Sequence, residues 1–306
     1  TSTISTGDLI IVDGNRGQVI INPDAATQFN YRQELTRISA FETALDEMAD
    51  LPAETTDGVA IALNANIEFP EEIESAVQKG AVGIGLYRTE FLYLASQIDP
   101  TEEEHYNAYV QAIESLKGRP LTIRTLDLGA DKLLNSGLTP TMERNPFLGV
   151  RSIRLCLQNP PLFMTQLRAI LRASMKGPVR IMFPLISNIM ELRQAKMIFS
   201  DVKEDLEREG IEFARDIPVG IMVEVPSVAV EAAKFAREVD FFSIGTNDLI
   251  QYTLAVDRGN ERIASLYSAA NPAVIQLIYE VIRAGVRQKS GGTLCDEARR
   301  ATASVP

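Results

Sequence analysis

Apolar residues in this chain follow two rhythms. From about residue 58 onward, short and nearly continuous apolar runs alternate with longer stretches whose apolar positions recur every three or four residues. The runs are VAIALNANI (59–67), AVGIGLYRTEF (81–91), LTIRTLD (121–127), VRIMFPLI (179–186), VGIMVEV (219–225), FFSIGT (241–246) and a weaker GGTLCDE (291–297). Continuous apolar runs mark strands buried on both faces, as in a parallel sheet covered by helices. Helix starts lie between them: Thr101 followed by Glu102, Glu103 and Glu104 is a capping-box pattern, Asn271-Pro272 an N-cap followed by proline, and Ser227 opens an apolar stretch to Val239. Strictly alternating β and α elements predict right-handed crossovers and an α/β fold. Seven repeats favour a (β/α)8 TIM-type barrel lacking its eighth strand.

The amino end reads differently. DLIIVDGNRGQVIIN (8–22) holds two apolar runs around a turn-rich centre, the pattern of a β-hairpin. Tyr31, Leu35, Ile38, Phe41, Leu45 and Met48 then fall on one face of a helix. The expected organisation is a hairpin remnant over 1–30, a linker helix over 31–57 and a barrel over 58–306, incomplete at its carboxyl end.

Composition narrows the classes. The 306 residues carry 30 Lys plus Arg against 41 Asp plus Glu, a net charge of −11. That sign argues against nucleic acid or an anionic membrane surface as the main partner. No apolar run nears the ~20 residues of a membrane-spanning helix, and TSTISTGD has no signal-peptide pattern. A soluble, cytoplasmic protein is expected. One histidine and two distant cysteines, Cys156 and Cys295, exclude a His-rich metal site, a CxxC zinc site and a disulfide framework.

Polar residues cluster where the predicted strands end: Asn64 and Asn66, Arg88 with Glu90, Arg124 with Asp127, Pro184, Glu224, Asn247 with Asp248, and Cys295. In barrels those ends share one mouth, where active sites form. Any one arginine there also suits a surface ion pair; the repetition is what points to a site. Arg88 and Arg124 leave buried strands, where an anionic ligand such as phosphate or carboxylate would satisfy them. Glu224 and Asp248 are oxygen donors suited to a hard cation such as Mg2+; an ion pair with a neighbouring arginine is the other reading of Glu224. Arg151, after NPFLGV, and Arg258, in DRGN, sit in loops the same mouth could recruit.

With these residues in place, the chain resembles the phosphoenolpyruvate-binding domain of the phosphoenolpyruvate-utilising enzymes. The resemblance rests on GLYRTEFLYL (85–94), PTEEEHYNAY (100–109), RTLDLGADK (124–132), NPFLGVRSIR (145–154), LRAILRAS (167–174), RIMFPLI (180–186), IMVEVPS (221–227) and DFFSIGTNDLIQYTLAVDRGN (240–260). RTEF followed by PTEEE is similar to the enzyme I branch of the bacterial phosphotransferase system. The dikinase and synthase branches share the barrel. The resemblance implies that Arg88, Arg124, Arg151, Asn247 and Arg258 hold phosphoenolpyruvate, that Glu224 and Asp248 hold Mg2+, and that the phosphoryl group passes to a protein histidine, leaving pyruvate. It also implies a homodimer and an HPr-like phosphocarrier reached through an amino-terminal domain. Cys295 matches the family's proton donor, with Asp296 where the family has Gly; a free buried cysteine is the alternative. The tail ARRATASVP (298–306) departs from the family pattern. The family's acceptor histidine is absent, and His105, inside TEEEHY, reads as a solvated helix residue. A dikinase- or synthase-type domain, or a non-catalytic binding and dimerisation module, are the other expectations.

Overall fold

A computed structural model describes residues 4–14, 16–46, 48–49, 51–94, 99–129, 144–288 and 291–295. The chain divides into two compact units, Thr1–Pro52 and Ala53–Pro306.

In the first unit, β1 (Ile10–Asp13) and β2 (Gln18–Ile21) form the antiparallel hairpin, with Ile10 opposite Ile21 and Asp13 opposite Gln18. The following helix spans Ala25–Asp46, starting six residues before the periodicity placed it. Asp24 explains the shift: its carboxylate accepts the Thr27 N–H at 2.7 Å, an N-terminal cap outside the apolar stripe. Leu35, Ile38, Phe41 and Leu45 on that stripe are exposed.

The second unit is built on a seven-stranded parallel sheet in sequential order, β3 (Asn64–Ile67), β4 (Gly83–Tyr87), β5 (Leu121–Arg124), β6 (Val179–Phe183), β7 (Val219–Val223), β8 (Phe241–Gly245) and β9 (Gly291–Cys295). The sheet curls, bringing β9 back near β4, as in a TIM-type barrel of which seven strands are described. Every residue of β4, β5, β7 and β8 is buried, because helices cover the outer face and side chains fill the inner one. β3 is the exception to the pattern. Residues 59–63 do not join it, and Val59, Ile61 and Leu63 are exposed.

Strand alternation separates two cores. Outward residues pack against helices such as Glu102–Ser115, Pro160–Ala173 and Ile189–Glu209 in the large cluster, while Leu86, Met182, Met222 and Phe241 form a separate one. Gly220 makes the second possible, since a Cβ there would lie 2.6 Å from the Phe241 ring. The capping box forms as expected: Thr101 Oγ1 accepts the Glu104 N–H at 3.3 Å and Glu104 Oε2 accepts the Thr101 N–H at 2.7 Å. Asn271 likewise accepts the Ala273 N–H at 2.9 Å, and the helix Pro272–Gln288 follows. Ser227 opens no long helix. Two short ones, Pro226–Val230 and Ala232–Phe235, occupy that stretch, and the Ser227 hydroxyl donates to the Ser187 carbonyl at 2.7 Å.

His105 is not solvated. It is buried on the inner face of the helix Glu102–Ser115, its ring stacked on Tyr109 at 5.6 Å between centroids. Tyr109, Ala112 and Ile113, also buried, continue that face at helical spacing.

Candidate functional site

The carboxyl ends of the strands surround a cavity of about 430 Å³. Arg88, Arg124, Arg151, Glu224, Asn247, Asp248 and Arg258 all line it. Glu68, Leu86, Asp127, Met222, Gly245 and Thr246 complete the lining; of these, Glu68 carried no separate signal in the sequence. Cys295 ends β9 in register with Gly245, so its backbone reaches the same end of the sheet. Its side chain lies outside the described residues.

The cavity wall is a chain of alternating charge. Glu90 lies 3.2 Å from Arg124, Arg124 3.0 Å from Asp127, Asp127 2.9 Å from Arg151, and Arg151 3.4 Å from Asp248. Arg88 pairs separately with Glu68 at 3.2 Å. Arg124 shares an inward layer with Met182, and its Nη1 lies 3.8 Å from the Met222 sulfur. Burial opposes its charge, but Glu90, Asp127 and Glu224 outweigh that and hold it firmly protonated.

Each carboxylate reflects its partners. Burial also opposes ionisation of Asp127, yet Arg124 and Arg151 together hold its carboxyl below the usual range. Glu90 is pushed up by burial despite Arg124. Glu224 is raised well above the ordinary range by burial and by the nearby Asp127 and Asp248 charges. Asp248 is raised as well, chiefly by burial, with Arg151 opposing. No described ion pair joins Glu224 to an arginine within 4 Å; its Oε1 instead accepts the Leu185 N–H at 2.6 Å. Leu185 has φ +50°, a conformation a leucine adopts only where its surroundings impose it. That backbone strain turns an amide toward the carboxylate.

The loop carrying Arg151 is tied down from both sides. Gly129 and Arg151 form an isolated antiparallel bridge, and Tyr252 donates to the Phe147 carbonyl at 2.6 Å. Asn247 Oδ1 accepts from the Tyr267 hydroxyl at 2.9 Å.

Glu224 and Asp248 suit a metal of one kind. They are buried oxygen donors whose carboxyls are raised chiefly by burial. Among the described residues no three His, Cys, Asp or Glu side chains converge into a complete metal site. The donor set fits a hard divalent cation that takes its remaining ligands from substrate and water.

Gly245 makes room for this carboxylate. A Cβ there would sit 2.9 Å from both Glu224 Oε2 and Met222 Cγ, although φ −81° suits any residue. Gly245→Ala is therefore expected to displace Glu224 and destabilise the fold by about 1–3 kcal/mol. Denaturant unfolding checks this; a change below about 0.5 kcal/mol would mean that Glu224 and Met222 give way freely.

The family description "PEP-utilising enzyme, PEP-binding domain" matches residues 42–305. Curated relatives align over the whole chain and carry the name phosphoenolpyruvate-protein phosphotransferase. Those from Bacillus sp. (strain S) and Geobacillus stearothermophilus are each 48% identical over 306 residues, and that from Staphylococcus aureus (strain MSSA476) is 46% identical. The alignment covers 100% of this chain and 53% of each relative, so the chain spans about half their length. A solved citrate lyase from Burkholderia xenovorans LB400 superposes with a TM-score of 0.40 at 17% identity, covering 68% of this chain and 62% of that one, too remote to add to the argument.

Proposed function

We propose that this chain, which belongs to the PEP-utilising enzymes, binds phosphoenolpyruvate together with Mg2+ and supports phosphoryl transfer to a protein histidine, releasing pyruvate. The observation that carries the reading is the alternating chain of arginines and carboxylates around one cavity. Four arginines, Arg88, Arg124, Arg151 and Arg258, face four lining carboxylates, Glu68, Asp127, Glu224 and Asp248. The arginines offer an anion fixed hydrogen-bond donors. Glu224 and Asp248 offer oxygen donors to a hard cation that would accompany a substrate with both a phosphate and a carboxylate.

In this reading the arginine forks orient the two anionic groups, and Asn247 adds a polar contact. Glu224 and Asp248 would hold Mg2+, which would supply Lewis-acid stabilisation of the negative charge on the substrate. The bond from phosphorus to the enol oxygen breaks as one from phosphorus to the histidine nitrogen forms. The arginines offset charge developing on the transferred group. The enolate then takes a proton at C3, for which Cys295 is the proposed donor. His105, the chain's one histidine, is buried, so the acceptor is a histidine that these 306 residues do not carry. An HPr-like phosphocarrier as the next acceptor, a homodimer and a cytoplasmic setting are further parts of the proposal. The relatives' printed name favours this branch over a dikinase or synthase. No helix among the described residues is long and apolar enough to cross a membrane.

Calorimetric titration of phosphoenolpyruvate into this chain, in Mg2+ and then in EDTA, tests the reading. Binding that requires the metal is expected. Asp248→Ala is expected to remove that requirement along with most of the affinity. Persistence of the metal effect in Asp248→Ala would place the cation elsewhere, and no heat from the folded wild type would overturn the substrate.

A further inference from the structure

Gln166 lies in the outer helix Pro160–Ala173 and touches none of the cavity, yet it is fully buried and uses its whole amide. Its Oε1 accepts the Leu126 N–H at 2.9 Å. Its Nε2 donates to Thr89 Oγ1 at 3.0 Å and to the Tyr109 hydroxyl at 3.1 Å. A backbone N–H can only donate, so the amide orientation is fixed.

The directions then propagate. Thr89 Oγ1, having accepted from Gln166, donates to the Arg124 carbonyl at 3.1 Å. The Tyr109 hydroxyl also lies 2.9 Å from His105 Nδ1, in hydrogen-bond contact with the ring. Alongside, the Asp127 N–H donates to Glu90 Oε1 at 3.1 Å. Two segments that never pair as strands at this level, 88–90 and 124–127, are thus stitched together. They carry Arg88, Glu90, Arg124 and Asp127.

We propose that Gln166 is a positioning residue for the anion site: from the outer layer it clamps the loops after β4 and β5 and thereby sets the spacing of Arg88 and Arg124. The inference rests on the phosphoenolpyruvate reading only for the identity of the anion; the clamp is a property of the fold. No other side chain described here bonds to both loops from outside the cavity. An amide is required, because the site asks for one acceptor and two donors. A carboxylate could accept from Leu126 but would turn the Thr89 hydroxyl toward itself and away from the Arg124 carbonyl.

The test uses the 306-residue chain with Gln166→Met, Thr89→Val and Thr89→Ser. Hydrogen exchange followed by mass spectrometry reads peptides over 84–92 and 121–129, with peptides over β7 and β8 as the internal reference. Calorimetry reads phosphoenolpyruvate affinity in Mg2+. Gln166→Met is expected to speed exchange of the 121–129 peptide at least tenfold, leave β7 and β8 unchanged, and raise Kd at least tenfold. Thr89→Val is expected to do the same, and Thr89→Ser, which keeps the hydroxyl, to recover most of the loss. A general loss of packing would not spare β7 and β8 or distinguish Ser from Val. Wild-type exchange at 121–129 in the folded variants overturns the clamp. Accelerated exchange with Kd within twofold of wild type overturns its role in positioning. Should Gln166→Met fail to fold, the Thr89 pair decides alone. A wild-type chain that takes up no phosphoenolpyruvate overturns the substrate reading, and exchange still decides the clamp.

Discussion

Arg124→Ala is expected to weaken phosphoenolpyruvate binding and to destabilise the fold, the second effect being the larger. A charge-assisted contact to the ligand is worth roughly 1.5–3 kcal/mol, a loss of about one to two orders of magnitude in Kd. The fold loses more because Arg124 lies between Glu90 and Asp127, whose side chains are only 13% and 7% exposed and which lie 3.2 and 3.0 Å from it. Removing one partner from a buried ion-pair group strands the others, at about 3–5 kcal/mol. The Arg88–Glu68 pair is more exposed, with side chains 33% and 53% accessible, and surface pairs contribute about 0–1 kcal/mol.

The Arg124 effect carries its own control in pH. Without the guanidinium, the Glu90 and Asp127 carboxyls rise, and the folded variant binds protons that the unfolded chain releases. This contribution raises the stability of the variant relative to that of the wild type as pH falls toward 5. The gap between them is expected to narrow on acidification in urea unfolding measured at pH 8 and pH 5.5. A gap that is the same at both values would mean the stranded carboxylates are hydrated, and that the cavity is wetter than its lining implies.

Sequence pattern reached the barrel because its strands obey a simple rule. Buried on both faces, β4, β5, β7 and β8 must be apolar throughout, and each run stops where a polar residue turns into the mouth. The ends of the runs therefore marked Arg124, Glu224 and Asp248 before any geometry was known. What stayed hidden depends on relations that one-dimensional pattern does not carry. The positive φ of Leu185 follows from the turn after β6 and has no residue signature, since glycine would be the usual occupant. Glu68 follows an apolar run whose first part, 59–63, lies exposed outside β3, so the run has no sharp end. Gln166, in PPLFMTQLRAIL, reads as an ordinary polar position of an amphipathic helix; only the Leu126 amide beneath it shows why an amide is buried there.

His105 was misplaced for a different reason. Three glutamates precede it as first-turn acids; Glu103 and Glu104 face solvent, while Glu102 is half-buried against Arg168 and Arg172. The next position crosses to the inner face, and the spacing 105, 109, 112, 113 already described that face. Burial lowers the His105 pKa to about 4 from an ordinary 6.5, the Glu104 charge opposing only weakly. The folded value is depressed, so the neutral ring contributes stability in full above pH 6.5. Below it the unfolded chain takes up a proton that the native chain refuses, and stability falls as pH drops from about 6.5 to about 4. One proton over that window is about 3 kcal/mol. As the chain's one histidine, it gives a single imidazole resonance. That resonance is expected to titrate well below 6. His105→Gln should lose the histidine share of the acid sensitivity: comparing unfolding at pH 7 and pH 4.5, its stability should fall by about 2–3 kcal/mol less than that of the wild type. A resonance titrating near 6.5 would mean that the helix Glu102–Ser115 opens to water at this face, and the buried chain from His105 through Tyr109 to Gln166 would then lose its outer anchor.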